Sequence, residues 1–379
     1  MSLDTHYDWI VVGAGIIGSL AAWRLAQEGH RVALVDAGSP GQQATGAAAG
    51  ILSPLAEAET SGAFLELMRL SLKRYPTLIA ELVEESGMDV QYHTTGVLQV
   101  GRDADRDRLQ NRYRWQAAYG AEWVDETLLK QLEPHLVGYS VALYDPTESQ
   151  VHPPLLVQAA VQAGFKRGVT AYFGMPVRSL VIVGDTVQGV VLPLETLRAR
   201  QGIVMAAGSW SSLVMDSLRP PLPVVPIRGQ VVSIKQDQRA FQHIVFDGHT
   251  YVVPKRDGRL VVGATEDDAG YDSRVTTQGV SQLAKILESF GLTQSNAYVE
   301  RFWAGLRPKS ADGLPVLGPW PGLQGLYLAT GHYRNGVLLS AITADIIRGW
   351  ATNQSDPMDL TPFNPIRFRR PDSSQGDYS

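Results

Sequence analysis

The chain of 379 residues contains no cysteine. This absence excludes disulfides, thiolate metal ligands, cysteine nucleophiles and any cofactor attached through a cysteine sulfur. The eight histidines show no spacing that is typical of a metal centre, so we predict no metal site. A GxSxG motif is also absent, and with it the nucleophile turn of the α/β-hydrolases.

The chain has neither a basic excess nor a long apolar run. Its 33 basic and 38 acidic residues give a net charge of −5, whereas a nucleic-acid surface normally shows a basic excess. Residues 9–23 carry no charge, but this run is shorter than the ~20 residues of a spanning helix. No basic segment precedes it, as a signal peptide would require. We expect no nucleic-acid partner, no membrane contact and a cytoplasmic protein.

An apolar run, a glycine-rich turn and a helical pattern open the chain. Trp9–Val12 predicts a buried strand, and a second apolar run at Arg31–Val35 ends at Asp36. Between them, apolar residues recur at helical spacing after the turn Gly13-Ala14-Gly15-Ile16-Ile17-Gly18. The order strand, turn, helix, strand predicts a βαβ unit whose strands are buried on both faces.

The turn has the GxGxxG pattern of dinucleotide-binding sites. Its first glycine allows the tight turn, its second lets the backbone approach a pyrophosphate, and its third allows close packing of helix on strand. Backbone N–H groups at the helix start attract the negative charge, and Asp36 can accept hydrogen bonds from ribose hydroxyls. These residues leave NAD and FAD open. A second such motif, frequent in flavin reductases fed by NAD(P)H, is absent.

The rest of the chain alternates helical and strand-like stretches. Helices are predicted at 60–86, at 104–118 and from Pro153-Pro154 onward, and strands at 91–100, within 169–206, in a hairpin at 251–265, at 297–307 and at 323–329. Leu218–Gly229 contains four prolines and is interpreted as a semi-rigid crossing between domains.

These patterns predict an α/β fold with a second, largely antiparallel β domain. The Rossmann-like dinucleotide-binding domain is discontinuous and is predicted to comprise residues 1–88, 150–222 and 309–365. Residues 89–149 and 223–308 are predicted to form the substrate-binding domain, and residues 366–379 a flexible tail.

Arg307 is a candidate for binding a carboxylate substrate, although an arginine taken alone is more often a surface residue. It ends a predicted strand, and a guanidinium makes two parallel charge-assisted bonds to a carboxylate. Tyr251 begins another strand of the same β domain and can add a hydroxyl donor. His249 and Glu266 lie close to that hairpin, although each is, by itself, more typical of a solvated or structural residue.

The order of motifs along the chain resembles a known family. The motifs are GAGIIG at 13–18, GAAAGIL at 46–52, PIRGQVV at 226–232, YVVPKRDGRLVVGATEDDAGYD at 251–272, FWAGLRPKSADGLPVLG at 302–318 and ATGHYRNGVLLSAITADII at 329–347. They are similar to those of the glycine oxidases of the thiamine pathway, within the D-amino-acid oxidase family of FAD enzymes. The resemblance covers nearly all of residues 8–350.

The resemblance implies an enzyme with non-covalent FAD that oxidises glycine, sarcosine and small D-amino acids. The product is an imine, which feeds thiazole assembly or hydrolyses to a 2-oxo acid, while O₂ is reduced to hydrogen peroxide. The resemblance also implies a homo-oligomer, commonly a tetramer. No side-chain base is needed, because the neutral amine drives the hydride from Cα to the flavin.

The resemblance also assigns roles to residues. Arg307 would hold the substrate carboxylate with help from Tyr251, and Arg334 would approach the same pocket. The helix that begins near Gly336 would stabilise negative charge on the flavin ring. FAD contacts are implied for Gly13, Ala14, Gly15, Ile16, Ile17, Gly18, Asp36, Ala37, Ala44, Thr45, Ala49, Gly50, Ile51, Val177, Gly208, Gly331, His332, Tyr333, Arg334, Asn335, Gly336, Val337 and Leu338.

Three positions depart from the family pattern. Asp36 stands where glutamate is commoner, Gln42-Gln43 replaces a stretch that usually includes an arginine, and Glu266 replaces an apolar residue. If it faces the pocket, Glu266 attracts a substrate amine and repels a carboxylate. This departure concerns the choice of substrate more than the class of reaction.

Three alternative functions remain open on sequence. An FAD-dependent D-amino-acid or proline dehydrogenase would pass its electrons to a carrier other than O₂, such as one in a membrane. The sequence shows no amphipathic basic segment that would mark a membrane contact, which disfavours this alternative. A module acting on N-substituted glycines in tRNA is disfavoured by the acidic charge balance. A flavin-binding protein without catalysis is disfavoured by the presence of Arg307, Tyr251 and Arg334.

Overall fold

The structure is a computed structural model that describes residues 5–236, 241–293 and 297–369. The strands are β1 (His6–Val12), β2 (Val32–Asp36), β3 (Ile51–Leu52), β4 (His93–Thr94), β5 (Val97–Gly101), β6 (Glu122–Asp125), β7 (Val141–Asp145), β8 (Ser149–Gln150), β9 (Thr170–Phe173), β10 (Ser179–Val183), β11 (Thr186–Val191), β12 (Thr196–Met205), β13 (Val224–Gln236), β14 (Ile244–Asp247), β15 (Thr250–Pro254), β16 (Arg259–Gly263), β17 (Ala297–Ser310), β18 (Val316–Pro319) and β19 (Leu326–Thr330).

Helices alternate with these strands. They are α1 (Ile16–Gln27), α2 (Ala44–Ala47), α3 (Pro54–Glu57), α4 (Ala63–Ser86), α5 (Arg106–Gln116), α6 (Glu126–Leu132), α7 (Pro153–Lys166), α8 (Ser211–Val214), α9 (Thr277–Ser289) and α10 (Gly336–Thr352). Short 3-10 helices lie at Asp103–Asp105, Ala117–Tyr119, Gly208–Trp210, Tyr333–Asn335, Thr361–Phe363 and Pro365–Phe368.

The first sheet has a parallel centre in the order β19, β12, β1, β2, β9. β11 pairs antiparallel with β10 and with the first residues of β12, and β18 pairs antiparallel with β19. Strands from both halves of the chain therefore lie side by side, as expected for a discontinuous domain. The βαβ unit predicted at the start of the chain is confirmed as β1, α1 and β2.

Alternate residues of β1 enter two different cores. Trp9 and Val11 pack in a cluster with α1, α4, α7 and α10, whereas Ile10 and Val12 pack in a cluster on the opposite face. All four side chains are buried. Burial on both faces explains why the strand has a continuous apolar sequence and why the alternation of a half-exposed strand is missing.

The second sheet is almost entirely antiparallel. Its order is β17, β13, β16, β15, β14, β5, β7, β6, and only the β14–β5 pair is parallel. Helix α9 closes one face through buried Leu283 and Leu287. A small sheet of β3, β8 and β4 lies apart from both large sheets in pairing. The α/β class with a second, antiparallel layer is thus confirmed, while the assignment of domain boundaries stays a prediction.

The proline-rich stretch predicted to cross between domains is only partly a connection. β13 begins at Val224 and continues through Gly229, so half of the stretch is strand. Pro226 pairs with Pro308 of β17 at a point beyond the end of β16, which pairs with β13 only from Val231 onward. The missing N–H of Pro226 therefore breaks no hydrogen bond to β16, which is why a proline is tolerated there.

Two further expectations concern the ends and surface of the chain. Of the predicted tail, residues 370–379 lie outside the described residues, while Pro365–Phe368 forms a 3-10 helix. Among the described helices, none is both long enough and apolar enough to cross a bilayer.

Candidate active site

The carboxyl ends of four parallel strands meet at one cavity of about 600 Å³. Gly13 follows β1, Asp36 ends β2, Ala206 follows β12 and Thr330 ends β19. Gly13 and Asp36 belong to the predicted dinucleotide site, and Ala206 lies next to Gly13. Crevices outside the carboxyl ends of parallel strands are the usual ligand sites of such sheets. The antiparallel sheet closes the opposite side through Gly229, Tyr251 and Arg307.

Most of the predicted site residues line this cavity. They are Gly13, Gly15, Ile16, Ile17, Asp36, Ala37, Ala44, Thr45, Ala49, Gly50, Ile51, Val177, Gly208, Tyr251, Arg307, His332, Tyr333, Arg334, Asn335, Gly336 and Val337. The structure therefore brings together residues separated by more than 300 positions in sequence.

Six predicted residues do not line the cavity wall. Ala14, Gly18, Gly331 and Leu338 are buried and are sequence neighbours of residues that line it. His249 and Glu266 are exposed and reach the cavity only through neighbours. The His249 Nδ1 atom lies 3.2 Å from Nη1 of Arg334, and the hydroxyl of Tyr333 donates a hydrogen bond to Glu266.

The glycine-rich turn has the tight packing that its motif predicts. Gly13 has φ +104°, and a Cβ atom built there would lie 2.3 Å from the carbonyl oxygen of Ala206. A Cβ on Gly18 would lie 1.8 Å from the carbonyl oxygen of Gly13. Only glycine fits at either position. The backbone is therefore left bare where a pyrophosphate would have to approach it.

Asp36 is held in place by the turn it accompanies. Its Oδ2 accepts a hydrogen bond from the backbone N–H of Ala14 at 2.6 Å, and its Oδ1 accepts one from Gly38 at 2.8 Å. Each oxygen keeps a second lone pair for a ribose hydroxyl. The shorter aspartate thus fixes the turn and still presents an acceptor to the cavity.

Helix α10 begins at the cavity wall without a capping side chain. α10 starts at Gly336, and its N-cap residue, Asn335, makes no side-chain hydrogen bond to the helix. Both Gly336 and Val337 line the cavity. The N-terminal end of a helix carries partial positive charge, so this wall favours negative charge on a bound ring. Together the bare turn, the acceptor at Asp36 and this helix start fit a dinucleotide with a ring system.

Arg307 lies where β17 passes Gly229 of β13. The residues opposite each other are Gly229 and Gly305, and a Cβ on Gly229 would lie 2.3 Å from Cζ of Arg307. Gly229 therefore provides the space that the guanidinium occupies. The Arg307 Nη1 atom donates a hydrogen bond to the carbonyl oxygen of Thr265 at 3.1 Å. Among the described carboxylates, none forms an ion pair with this guanidinium, so its charge is left for a ligand.

Tyr251 is buried beside two guanidinium groups. Burial raises the pKa of Tyr251, and the positive charges of Arg307 and Arg334 oppose that rise. The phenol therefore keeps its proton at neutral pH and can donate a hydrogen bond. A neutral donor next to an unpaired guanidinium is suited to holding a carboxylate.

Glu266 carries its charge at the edge of this site. Burial opposes ionisation, but the hydrogen bond from Tyr333 and the charges of Arg307 and Lys309 outweigh it and lower the pKa of Glu266. The Lys309 Nζ atom lies 4.0 Å from the Glu266 carboxylate and 5.0 Å from the centroid of the Tyr333 ring. Glu266 therefore acts on the cavity mainly by holding Tyr333.

Two charged residues near the cavity were not singled out from the sequence. Glu57 lines the cavity and pairs with Arg334. Lys255 is buried, and its Nζ atom donates hydrogen bonds to the carbonyl oxygen of Ala49 and to Gln150. Burial lowers the pKa of Lys255 to about 7. Glu57 stands in no motif, whereas Lys255 lies within the 251–272 motif without having been singled out there. The contacts that bring both residues to the cavity are long-range.

We expect His332 to make the protein less stable in acid. Burial lowers the pKa of His332 to about 3 from its ordinary value of 6.5, and its Nε2 atom lies 3.1 Å from the Thr343 hydroxyl. Between about pH 6.5 and about pH 3, the unfolded chain binds a proton at His332 that the folded chain does not bind. The free energy of unfolding therefore decreases as the pH falls through this range, by about 1.4 kcal/mol per pH unit. Above pH 6.5 the contribution is constant.

Urea denaturation of His332→Asn measures this contribution. Between about pH 7.5 and about pH 5, the variant should lose about 2 kcal/mol less unfolding free energy than the parent protein. His135→Asn, at an exposed position, is the control and should behave like the parent. Equal losses in the parent and in His332→Asn would show that the ring is not held neutral.

Comparison with known proteins places this site in a family. The family described as FAD dependent oxidoreductase (DAO) matches residues 8–350. Glycine oxidase of Geobacillus kaustophilus is 32% identical over 375 residues, which cover 96% of this chain and 98% of that protein. The bifunctional protein ThiO/ThiG of Synechocystis sp. is also 32% identical over 375 residues, which cover 97% of this chain and 55% of that protein.

The fold agrees with the sequence. The crystal structure of glycine oxidase from Geobacillus kaustophilus matches with a TM-score of 0.90 and 30% identity, covering 97% of this chain and 100% of that one. The family predicted from the order of motifs is confirmed, and with it the FAD-binding, Rossmann-like fold and FAD as cofactor. This chain belongs to the DAO family of FAD-dependent oxidoreductases.

Proposed function

We propose that the protein catalyses FAD-dependent oxidative deamination of glycine and of other small amines and amino acids, such as sarcosine and small D-amino acids. The observation that carries the proposal is the unpaired guanidinium of Arg307 beside the neutral hydroxyl of Tyr251. Both side chains line the same cavity as the dinucleotide turn. A small carboxylate substrate and the cofactor therefore share one space.

The substrate carboxylate binds to Arg307 and Tyr251. Two charge-assisted hydrogen bonds from a planar guanidinium fix the direction of the carboxylate as well as its place. The Cα atom of so short a molecule is then fixed too, which is catalysis by orientation. Gly229 contributes by leaving space for the guanidinium.

FAD, when bound, supplies the chemistry by accepting the hydride from Cα of the substrate. Gly13 and Asp36 would hold its nucleotide half, and the uncapped start of α10 at Gly336 and Val337 would stabilise negative charge on its ring. The buried ring of His332 stays neutral. Glu57 is engaged with Arg334. The residues thus bind and orient the substrate and leave its amine to lose a proton to solvent before reaction.

The overall reaction balances with O₂ and water. The amine and Cα lose two electrons and two protons to give an imine, and O₂ gains both to become H₂O₂. Water then converts the imine into a 2-oxo acid and an amine, which is ammonia for a primary amino acid and methylamine for sarcosine. With glycine the acid is glyoxylate. Release of the imine for thiazole assembly in thiamine biosynthesis is part of the proposal and is supported by the likeness to ThiO/ThiG.

Peroxide formation tests this function. Purified, FAD-loaded protein is mixed with glycine, sarcosine, D-alanine or D-proline, and peroxide, ammonia and flavin absorbance are recorded. Glycine should yield peroxide and ammonia in equal amounts. Flavin bleaching without peroxide would contradict the oxidase and support the dehydrogenase alternative, which is not favoured because the similar curated proteins are glycine oxidases.

A homo-tetramer and a cytoplasmic location complete the proposal. Both come from the resemblance to the glycine oxidases, and sedimentation of the FAD-loaded protein tests the first. A monomer at micromolar concentration would contradict it.

A further inference from the structure

Glu57 forms a partly buried ion pair on the cavity wall. Its Oε2 lies 3.3 Å from Nε of Arg334, and Nη2 of Arg334 donates to its Oε1 at 3.5 Å. The side chains of Glu57 and Arg334 are only 11% and 18% exposed. Both residues line the cavity that contains Arg307. The pair therefore belongs to the substrate end of the site and is shielded from bulk water.

The segment that carries Glu57 is fixed from behind. Nη2 of Arg112 donates to the carbonyl oxygens of Leu55, Ala56 and Ala58 at 3.0, 3.3 and 2.8 Å. Arg112 thus forms hydrogen bonds with peptide groups on both sides of Glu57.

A buried carboxylate holds the start of the same segment. Glu148 accepts hydrogen bonds from the Ser53 hydroxyl and, at 2.7 Å, from the backbone N–H of Leu55. Gln116 adds a hydrogen bond to the Leu55 carbonyl oxygen at 2.8 Å. This support comes from the side chains of Arg112, Glu148 and Gln116. It fixes the position of the Glu57 carboxylate relative to Arg334.

The charges at this end of the cavity can be paired by geometry. Glu57 pairs with Arg334, and Glu266 lies next to Lys309. Arg307 bonds to a backbone carbonyl and has no ion pair with a described carboxylate. One positive charge is left over. Without Glu57, Arg334 and Arg307 would be two unpaired guanidinium groups in one shielded pocket. This arrangement favours a ligand with two carboxylates.

We propose that Glu57 restricts the substrate to amino acids with a single carboxylate, by neutralising Arg334 so that Arg307 alone offers a site for an anion. This specificity role rests on the proposed function of the cavity. A second carboxylate on the substrate would have to displace Glu57 from Arg334 or lie unpaired beside it, and either arrangement is unfavourable in a shielded site.

Two pairs of ligands that differ by one carboxylate test the inference. Methoxyacetate and diglycolate resemble sarcosine and iminodiacetate, with oxygen in place of the amine, so they bind without being oxidised. Their dissociation constants are measured from the change in flavin absorbance of the FAD-loaded protein. The ratio of kcat/KM for iminodiacetate to that for sarcosine is measured in parallel.

Glu57→Gln should shift both ratios toward the dicarboxylate. The amide keeps the size of the side chain and a hydrogen bond to Arg334 but removes the negative charge. We expect diglycolate to gain about tenfold or more over methoxyacetate. Adding Arg334→Gln to Glu57→Gln should abolish the gain. Glu57→Asp, which keeps the charge and loosens the pair, should give a smaller gain and serves if the glutamine variant does not fold.

Glu66→Gln is the matched control. Glu66 is a partly exposed residue of α4 that pairs with Arg69 at 3.7 Å, and its variant should leave both ratios unchanged. An unchanged ligand ratio in the folded Glu57 variants overturns the inference, even if glycine is oxidised. A shifted ligand ratio in a protein that oxidises no amino acid would instead contradict the proposed function and leave the charge role of Glu57 standing.

Discussion

Arg307→Ala should raise KM for glycine by about two to three orders of magnitude, since it removes a charged pair that the substrate carboxylate makes inside a shielded cavity. The variant should still bind FAD, because Arg307 lies on β17 whereas the dinucleotide turn follows β1. kcat should fall as well, because the clamp also orients Cα. Steady-state kinetics and the flavin spectrum of the purified variant measure the three effects separately.

Arg301→Ala supplies the control for this experiment. Arg301 lies on the same strand, is exposed, and stacks over Trp303 at 5.5 Å, so its removal should change KM little. Gly229→Ala approaches the same guanidinium from the other side, since its Cβ would fall 2.3 Å from Cζ of Arg307. It should raise KM while leaving the charge in place. If Arg307→Ala kept the parent KM, the carboxylate would have to bind elsewhere.

Gly13→Ala should abolish stable binding of FAD. Its Cβ would lie 2.3 Å from the Ala206 carbonyl oxygen and 2.9 Å from Cα of Ala207. Both are backbone atoms at the end of β12, so neither can rotate away. The turn must move, and with it the N–H groups that face the cofactor. We expect an FAD dissociation constant raised about 100-fold or more, because several hydrogen bonds to the pyrophosphate depend on one backbone shape.

Gly29 provides a control that separates the effect of backbone strain from that of a steric clash. Gly29 also has positive φ, +83°, but a Cβ there would meet no heavy atom within 4 Å. Gly29→Ala should therefore lower stability by only about 1 kcal/mol and leave FAD binding intact. Flavin content after gel filtration and FAD titration of the apoprotein measure both variants. A Gly13→Ala protein with full flavin content would contradict the assignment of the turn.

The nucleotide end of the site could be predicted from sequence because its signals are local. The strand before Gly13, the helix after Gly18 and the strand ending at Asp36 all lie within 31 residues, His6 to Asp36, and their periodicity reports burial directly. The hairpin of β15 and β16 was equally visible, since Asp257-Gly258 marks the turn. Tertiary contacts were not needed for either prediction.

The substrate end was less accessible to prediction because its geometry depends on distant contacts. Arg307 was found through the family motif, but the space for it comes from Gly229, 78 positions earlier in the chain. Glu57 pairs with a residue 277 positions away, and a glutamate after a proline-started turn carries no sequence signal of such a pair. Glu266 does not line the cavity, and its carboxylate accepts a hydrogen bond from Tyr333, so its effect on the choice of substrate stays a prediction.

The cavity wall consists of segments that lie far apart in the chain. FAD therefore meets a complete site only after the later segments have been synthesised. The nucleotide turn and β12 are present once residue 205 has been made, but α10 begins only at Gly336. At about 5–20 residues per second, the ribosome needs on the order of ten seconds for that interval. A nascent chain therefore carries an incomplete FAD site until α10 emerges, and binding of FAD then joins segments made early and late in synthesis.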